Sequence, residues 1–220
     1  MTISCVRQDG SSGTSGVRET PKADDPRLRN SRAYVIGNNG LAADAALRHL
    51  QQHGGYNGRI HTLTLAEPVE QAADLVAHLV RQELAACKDG NAGQGARQSR
   101  CLILGGETTV KLGGAGGSSG KGGRCSHMAL LVARALRGQA GWCLVSAGTD
   151  GQDGPTDAAG AWVDGGTWER GLALGLDPAD AIAAFDSYSF FDKEGGLLRT
   201  GLTGTNVMDL HILLCHPPTA

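Results

Sequence analysis

The sequence has no CxxC pair among its six cysteines, which excludes a zinc ribbon or a thioredoxin-type motif. It has no HxH or HExxH among its seven histidines, so a histidine metal site is not expected. It has no GxGxxG, which removes the standard dinucleotide fingerprint. It has no excess of positive charge. The 20 Lys and Arg stand against 22 Asp and Glu, a net charge of −2, and this balance excludes a basic footprint for nucleic acid or an anionic membrane surface. No apolar run approaches the ~20 residues of a membrane span, and Met1–Arg7 lacks the apolar stretch of a signal peptide. Cys101, Cys143 and Cys215 lie in or beside apolar runs and read as small core residues. With no pairing pattern, a reducing, cytoplasmic home is expected.

What the chain has in abundance is glycine, 34 of 220 residues. Nine lie within 105–123 and seven within 148–171. Such clusters mark loops where the backbone turns sharply or comes close to a ligand. The length supports a core that needs no staples.

Residues 1–31 are rich in Ser, Gly, Arg and Asp and read as a flexible lead-in. Ala33–Gly37 reads as a short strand. Ala43, Ala46, Leu47 and Leu50 then form a helical stripe that ends at Gly54-Gly55. Ile60–Leu65 reads as a strand, and Val69, Ala72, Ala73, Val76, Leu79 and Val80 as a helix face. Residues 88–99 read as a loop. Cys101–Leu104 is a continuous apolar run, the mark of a strand buried on both faces. Thr108–Leu112 is expected to pair nearby. A helix is expected over 125–137, a buried strand over Trp142–Ser146, helices over Thr156–Trp162 and Thr167–Leu174, and a last strand over His211–Cys215. Asp177-Pro178 is a cap and first-turn signal for a further helix. Alternating strands and helices indicate an α/β fold, a layered, mostly parallel sheet with flanking helices. The expected organisation is the lead-in 1–31, a partial α/β segment 32–99 and a C-terminal α/β domain 100–217.

Four segments carry chemistry. Gly113–Arg124 is a glycine-dense loop feeding a helix, where backbone N–H groups, the helix dipole, Lys121 and Arg124 suit an anion. It is not a Walker A loop, because position 115 is Ala and position 122 is Gly. Gly148–Gly160 begins where a strand ends, the usual place for ligands in open α/β sheets. Its Asp150, Asp153 and Asp157, with Thr149 and Thr156, could hold Mg²⁺; equally, these acids could only form a turn and cap a helix at 156. Thr200–Asp209 offers hydroxyls and an amide on a glycine frame, suited to a sugar acid or phosphate, or forms a plain turn. Glu107, after the 101–104 strand, either positions a substrate hydroxyl or metal water, or pairs with Arg124.

Together, Gly105–Val110, Gly120–Arg124, Gly148–Thr156, Asp186–Phe191 and Thr200–Asp209 resemble, in order, the C-terminal half of the class II glycerate kinases. That half is the MOFRL domain, also seen in proteins called hydroxypyruvate reductase. Residues 32–86 resemble the preceding segment more weakly, with Gly37 and Asn39 on its Gly-x-Asn turn and Gly55-Tyr56 on its Gly-Tyr. The resemblance implies transfer of the γ-phosphoryl of ATP to D-glycerate with Mg²⁺, in a cleft between two α/β domains. It implies catalytic roles for Arg124 and Asp150. It implies substrate or nucleotide binding by Glu107, Gly120, Lys121, Gly122, Asp153, Thr156, Thr203, Thr205 and Asn206. Metal candidates are Asp150, Asp153 and Asp157.

Three departures stand out. The domain that forms the other cleft wall and supplies a catalytic lysine is not in this sequence. Cys125-Ser126-His127 stands where the family pattern reads Asn-Gln-Glu. Leu202 stands where Pro is common. The expectation is a glycerate kinase C-terminal portion with weak or no activity alone. It acts on a small molecule, without nucleic acid or membrane partners, and homo-oligomer formation is left open. The alternatives are a non-catalytic sugar-acid or phosphate-binding module, or a hydroxypyruvate reductase.

Overall fold

The computed structural model describes residues 21–22, 24–32, 34–88, 98–111 and 120–217. The stretches 1–20 of the expected lead-in, 89–97 of the expected loop and 113–119 of the glycine-dense segment lie outside the described residues.

The chain divides into two compact units, Met1–Ile36 and Gly37–Ala220. In the first, Asp25 caps a single 3-10 turn, Pro26–Leu28, and pairs with Arg27. The strand expected at Ala33–Gly37 does not form among the described residues. Tyr34, Val35 and Ile36 are 76%, 79% and 94% exposed. Without a neighbouring strand to pair its backbone, a β-prone run stays irregular.

The second unit is a six-stranded sheet in the order β1-β2-β6-β3-β4-β5. Its strands are β1 (Asn57–Leu65), β2 (Arg100–Gly106), β3 (Trp142–Gly148), β4 (Gly160–Asp164), β5 (Leu197–Leu198) and β6 (Asp209–Cys215). Its helices are α1 (Asn39–Gly54), α2 (Val69–Lys88), α3 (Arg124–Ala135), α4 (Thr167–Ala173), α5 (Pro178–Ala183) and α6 (Ser187–Glu194). The layered α/β reading with flanking helices holds, but the sheet is not mostly parallel. Only β1 and β2 run parallel; β2–β6, β6–β3, β3–β4 and β4–β5 are antiparallel. Hydrophobic runs report burial and not strand direction, which the connections decide.

Local signals account for most elements. Asn38 accepts a hydrogen bond from the Leu41 N–H and caps α1, and Gly55 closes it in the left-handed conformation. Asp177 caps α5 with Pro178 in its first turn. The helix expected over Thr156–Trp162 is instead a turn leading into β4. Ala158, Ala159 and Ala161 are good helix formers, yet all three are buried at the sheet, and packing overrides propensity. Thr109 makes one isolated parallel bridge to Pro68 rather than a strand pairing.

The core lies between one sheet face and helices α2 and α3. Leu102, Leu104, Leu144 and Leu213 pack there against Val76, Val80, Met128 and Val132. Ala72, Ala73 and Ala77 keep α2 low on this surface. Registration of β2, β6 and β3 stacks cross-strand rows on this face. Leu102, Leu213 and Leu144 form one row; Leu104, His211 and Ser146 the next; Gly106, Asp209 and Gly148 the last. The face therefore grades from apolar to polar to charged along the strands.

Candidate active site at the amino end of α3

Two glycines, Gly106 and Gly148, sit opposite Asp209 on the neighbouring strands. No side chain flanks Asp209 within its row. The carboxylate is 0% exposed, and burying it requires a cation. Arg124, the first residue of α3, supplies one. Its Nε and Nη2 donate to Asp209 Oδ2 and Oδ1 at 2.5 and 2.9 Å. Nη1 lies 3.2 Å from Glu107 Oε1. The Asp209 hydrogen bonds push the guanidinium pKa further up, so the group stays charged. Of the two readings of Glu107, pairing with Arg124 is the one formed, although its side chain remains 54% exposed. Arg124 has five N–H groups; Asp209 takes two and Glu107 faces one, leaving two for a ligand.

The α3 amides are occupied differently from the expectation. Asp153 Oδ1 accepts from Cys125 N–H at 2.9 Å, and Oδ2 from Ser126 N–H at 2.8 Å and the Ser126 hydroxyl at 2.7 Å. The chain's own carboxylate thus occupies these two N-terminal amides that an external anion would seek. Asp153 is 3% exposed, and burial raises its pKa in spite of these bonds. Both of its oxygens are thus engaged inside the fold. It caps the helix at 124, not one at 156. Gly123 makes the approach possible, because a Cβ there would collide with the Asp153 carboxylate. Thr156 is likewise engaged inside the fold. It is buried, and its hydroxyl donates to the Asp153 carbonyl at 2.9 Å and accepts from Ala158 N–H at 3.2 Å.

The other expected residues divide. Asp150 Oδ1 accepts from Gln152 N–H at 3.0 Å, and Oδ2 from Asn206 Nδ2 at 3.1 Å. A Cβ on Gly148 would lie 3.0 Å from Asp150 Oδ1 and 3.6 Å from Asp209 Oδ1, so the two carboxylates flank the same glycine. Thr203 joins this rim: its hydroxyl donates to the Thr149 carbonyl at 2.6 Å and its N–H to the Asp150 carbonyl at 3.1 Å. Thr205 is exposed beside it. The fold therefore gathers Arg124 and Glu107 at Asp209, and Thr203 and Asn206 at Asp150 on the other side of Gly148. Asn39, buried in α1, fixes the approach to this residue by donating to the carbonyls of Val207 and Asp209 at 2.8 and 3.0 Å.

Gly120 and Gly122 press against the 184–188 segment, and Lys121 Nζ sits 3.8 Å from the centroid of the Tyr188 ring. Asp157 turns away from Asp150, accepting from the Tyr188 hydroxyl and pairing with Arg199 at 3.2 Å. Among the described residues no cluster of His, Cys, Asp or Glu is placed to hold a metal ion. The three metal candidates are not brought together: Asp150 meets Asn206, Asp153 the α3 amides, and Asp157 Tyr188 and Arg199.

A cavity of about 360 Å³ opens beside Arg124, lined also by Thr108, Val110, His127, Pro155 and Phe185. Beneath α3, Ser146 Oγ lies 3.0 Å from His211 Nδ1, and complete burial lowers the His211 pKa to about 4. Burial likewise pushes the Cys125 thiol up, so it is no nucleophile at neutral pH. Sequence reasoning missed Asp209 as a site residue. The available signal was a carboxylate at the start of a buried strand, which demands a cation.

Comparison with known proteins gives the chain's family. A profile of the MOFRL family matches residues 100–209. The chain is 41% identical over 196 residues to a D-glycerate 2-kinase of Thermotoga maritima, covering 89% of this chain and 43% of that protein. It is 51% identical over 124 residues to a glycerate kinase of Macaca fascicularis, covering 53% of this chain and 30% of that protein. The crystal structure of a Thermotoga maritima glycerate kinase superposes with a TM-score of 0.72 at 41% identity, over 84% of this chain and 42% of that one. The chain thus spans less than half the length of these relatives. Among the described residues no helix is long and apolar enough to cross a membrane.

Proposed function

Because the chain belongs to the MOFRL family, its profile matching residues 100–209, we propose that it forms one wall of a glycerate kinase site that transfers the γ-phosphoryl of ATP to D-glycerate. The observation that carries this reading is Arg124. It is anchored by the buried Asp209, stays charged, and presents its remaining N–H groups beside an open cavity. Phosphoryl transfer asks a protein mainly for positioning and for fixed charge where negative charge develops. A guanidinium held from behind by two carboxylates meets both needs.

In this reading Arg124 grips the substrate carboxylate or the transferring phosphoryl group. Asp150 and Asn206, locked to each other, present polar atoms at the rim with Thr203 and Thr205, and Lys121 adds charge from the far side of the loop. Glu107 keeps Arg124 in line. Asp153 and Thr156 act by holding α3 and the 153–158 turn in place. ATP and Mg²⁺ remain cofactors implied by kinship; no residue here is assigned as an Mg²⁺ ligand, and no step is routed through the ion. Such a protein acts on soluble metabolites in the cytoplasm.

The test is release of ADP from ATP in the presence of D-glycerate. The 220-residue chain alone is expected to turn over slowly or not at all, with turnover appearing when the remaining part of a full-length relative is added. Rapid turnover by the chain alone would overturn the two-wall reading. No turnover with the added part, together with no binding of D-glycerate, would overturn the kinase assignment.

A further inference from the structure

The cavity beside Arg124 holds more polar chemistry than anion binding uses. Thr108 and His127 are each 3% exposed and both line it. Thr108 Oγ1 and His127 Nδ1 are enclosed and have no hydrogen-bond partner. A buried polar atom without a partner is a standing cost to the folded state. Both belong to residues of one cavity wall, and rotation of either side chain would turn its polar atom toward a ligand that completes it.

A third observation marks the same wall. Phe185 adopts a left-handed backbone at φ 53°, an outlier for a bulky residue. Its ring stacks on the His127 imidazole, with centroids 4.9 Å apart and planes 28° apart. Backbone strain of this kind collects at ligand sites, where the surroundings enforce it.

We propose that Thr108 and His127 read the hydroxyl groups of the bound acid, while Arg124 holds its carboxylate. The inference rests on the kinase reading and adds to it the two side chains that tell a polyhydroxy acid from a plain carboxylate. Burial keeps the His127 pKa below its ordinary value, so the ring is neutral at pH 7. It then offers one N–H and one lone pair, which match a hydroxyl in either role. The Thr108 hydroxyl is equally two-way. A site built to pair a substrate hydroxyl discriminates strongly against analogues that lack it, because its own polar groups are then left bare.

The experiment is calorimetric titration of the chain with D-glycerate, D-lactate and propanoate, for the parent and for T108V, H127F and H127Q. The parent is expected to prefer D-glycerate to propanoate by about tenfold or more. T108V and H127F should bind propanoate unchanged and lose most of that preference; H127Q, which still donates and accepts, should keep it. Without ligand, T108V should melt about 2–4 °C higher than the parent, because the isosteric methyl removes an unpaired buried hydroxyl. If the parent binds no acid, this inference falls, and the kinase reading falls with it when the complemented assay also shows no turnover. If acids bind and both T108V and H127F retain the full preference, the inference alone falls.

Discussion

The mouth of α3 and the rim formed by Asp150 and residues 203–206 are built from the same materials, glycine, aspartate and small polar residues, and they use them in opposite ways. At the mouth, Asp153 and Asp209 are buried, and every carboxylate oxygen has an internal partner. At the rim, Thr203, Thr205 and Asn206 are exposed and bond to their own loop and to Thr149 and Asp150. The difference teaches that acid content does not identify a ligand site. A buried acid is committed to holding the fold, because an unpaired charge there costs too much. Asp150 at the rim also has a partner on each oxygen, but it is only half-buried and solvent still reaches it. The mouth therefore sets the position of Arg124, and in the proposed reading the rim and the cavity supply what a ligand touches.

The largest effect that would break this distinction is R124A. It strips the cation from a carboxylate that has no solvent contact, which costs about 3–5 kcal/mol. The melting temperature should fall by about 6–20 °C, as read by thermal unfolding. D157N, at an exposed position whose pKa is lowered first by the Tyr188 hydroxyl, should leave the melting temperature where it is. Equal losses in the two variants would erase the difference between mouth and exposed surface.

The next effect lies under the mouth, in the pH dependence of stability. His211 has a folded pKa of about 4 because burial disfavours its charged form, against an unfolded value near 6.5. As pH falls below about 6.5 the unfolded chain takes up the proton first, so stability drops until about pH 4. At about 1.4 kcal/mol per pH unit this amounts to roughly 3 kcal/mol. Asp153 acts with the opposite sign. Its raised pKa makes the folded state bind a proton more readily, so acidification through that pKa stabilises. Urea unfolding of the parent and H211Q between pH 7 and pH 4 separates them. The parent should lose stability steeply, and H211Q should lose less or gain. Parallel curves would show that His211 is not held neutral.

The sequence made the elements legible wherever the cause was local. Asp177-Pro178 announced α5, and Cys101–Leu104 announced a strand buried on both faces. It did not reveal what depends on partners far along the chain. Arg124 meets Asp209 across 85 positions, and Asp153 reaches the α3 amides across 28. A glycine-rich loop before a helix reads the same whether an outside anion or an internal carboxylate occupies the amides. The direction of β6 and the strand β4 after Ala158-Ala159 were hidden for the same reason: tertiary packing decided them. Arg124 stood out because a glycine-dense loop feeds a helix there, Asp150 because its motif follows a strand end, and Asn206 because hydroxyls and an amide share a glycine frame before the last strand. His127 stood out only as a departure from the family pattern, and only the cavity gives it a role.

The smallest effect in stability is also the sharpest test of the rim. Asn206 accepts from Met208 N–H at 3.0 Å and donates to Asp150 at 3.1 Å, both at exposed positions. Removing an exposed pair of this kind costs about 1 kcal/mol or less. N206A should therefore melt within about 4 °C of the parent. Yet Asp150 would lose the amide that fixes its carboxylate, and imprecise positioning is expensive in phosphoryl transfer. In the complemented kinase assay, N206A should lower kcat by about tenfold or more while the melting temperature barely moves. A variant that loses stability and turnover in proportion would place Asn206 with Asp153, among residues that only hold the loop. Loss of turnover alone would leave Asp150 facing the substrate and the mouth of α3 as its scaffold.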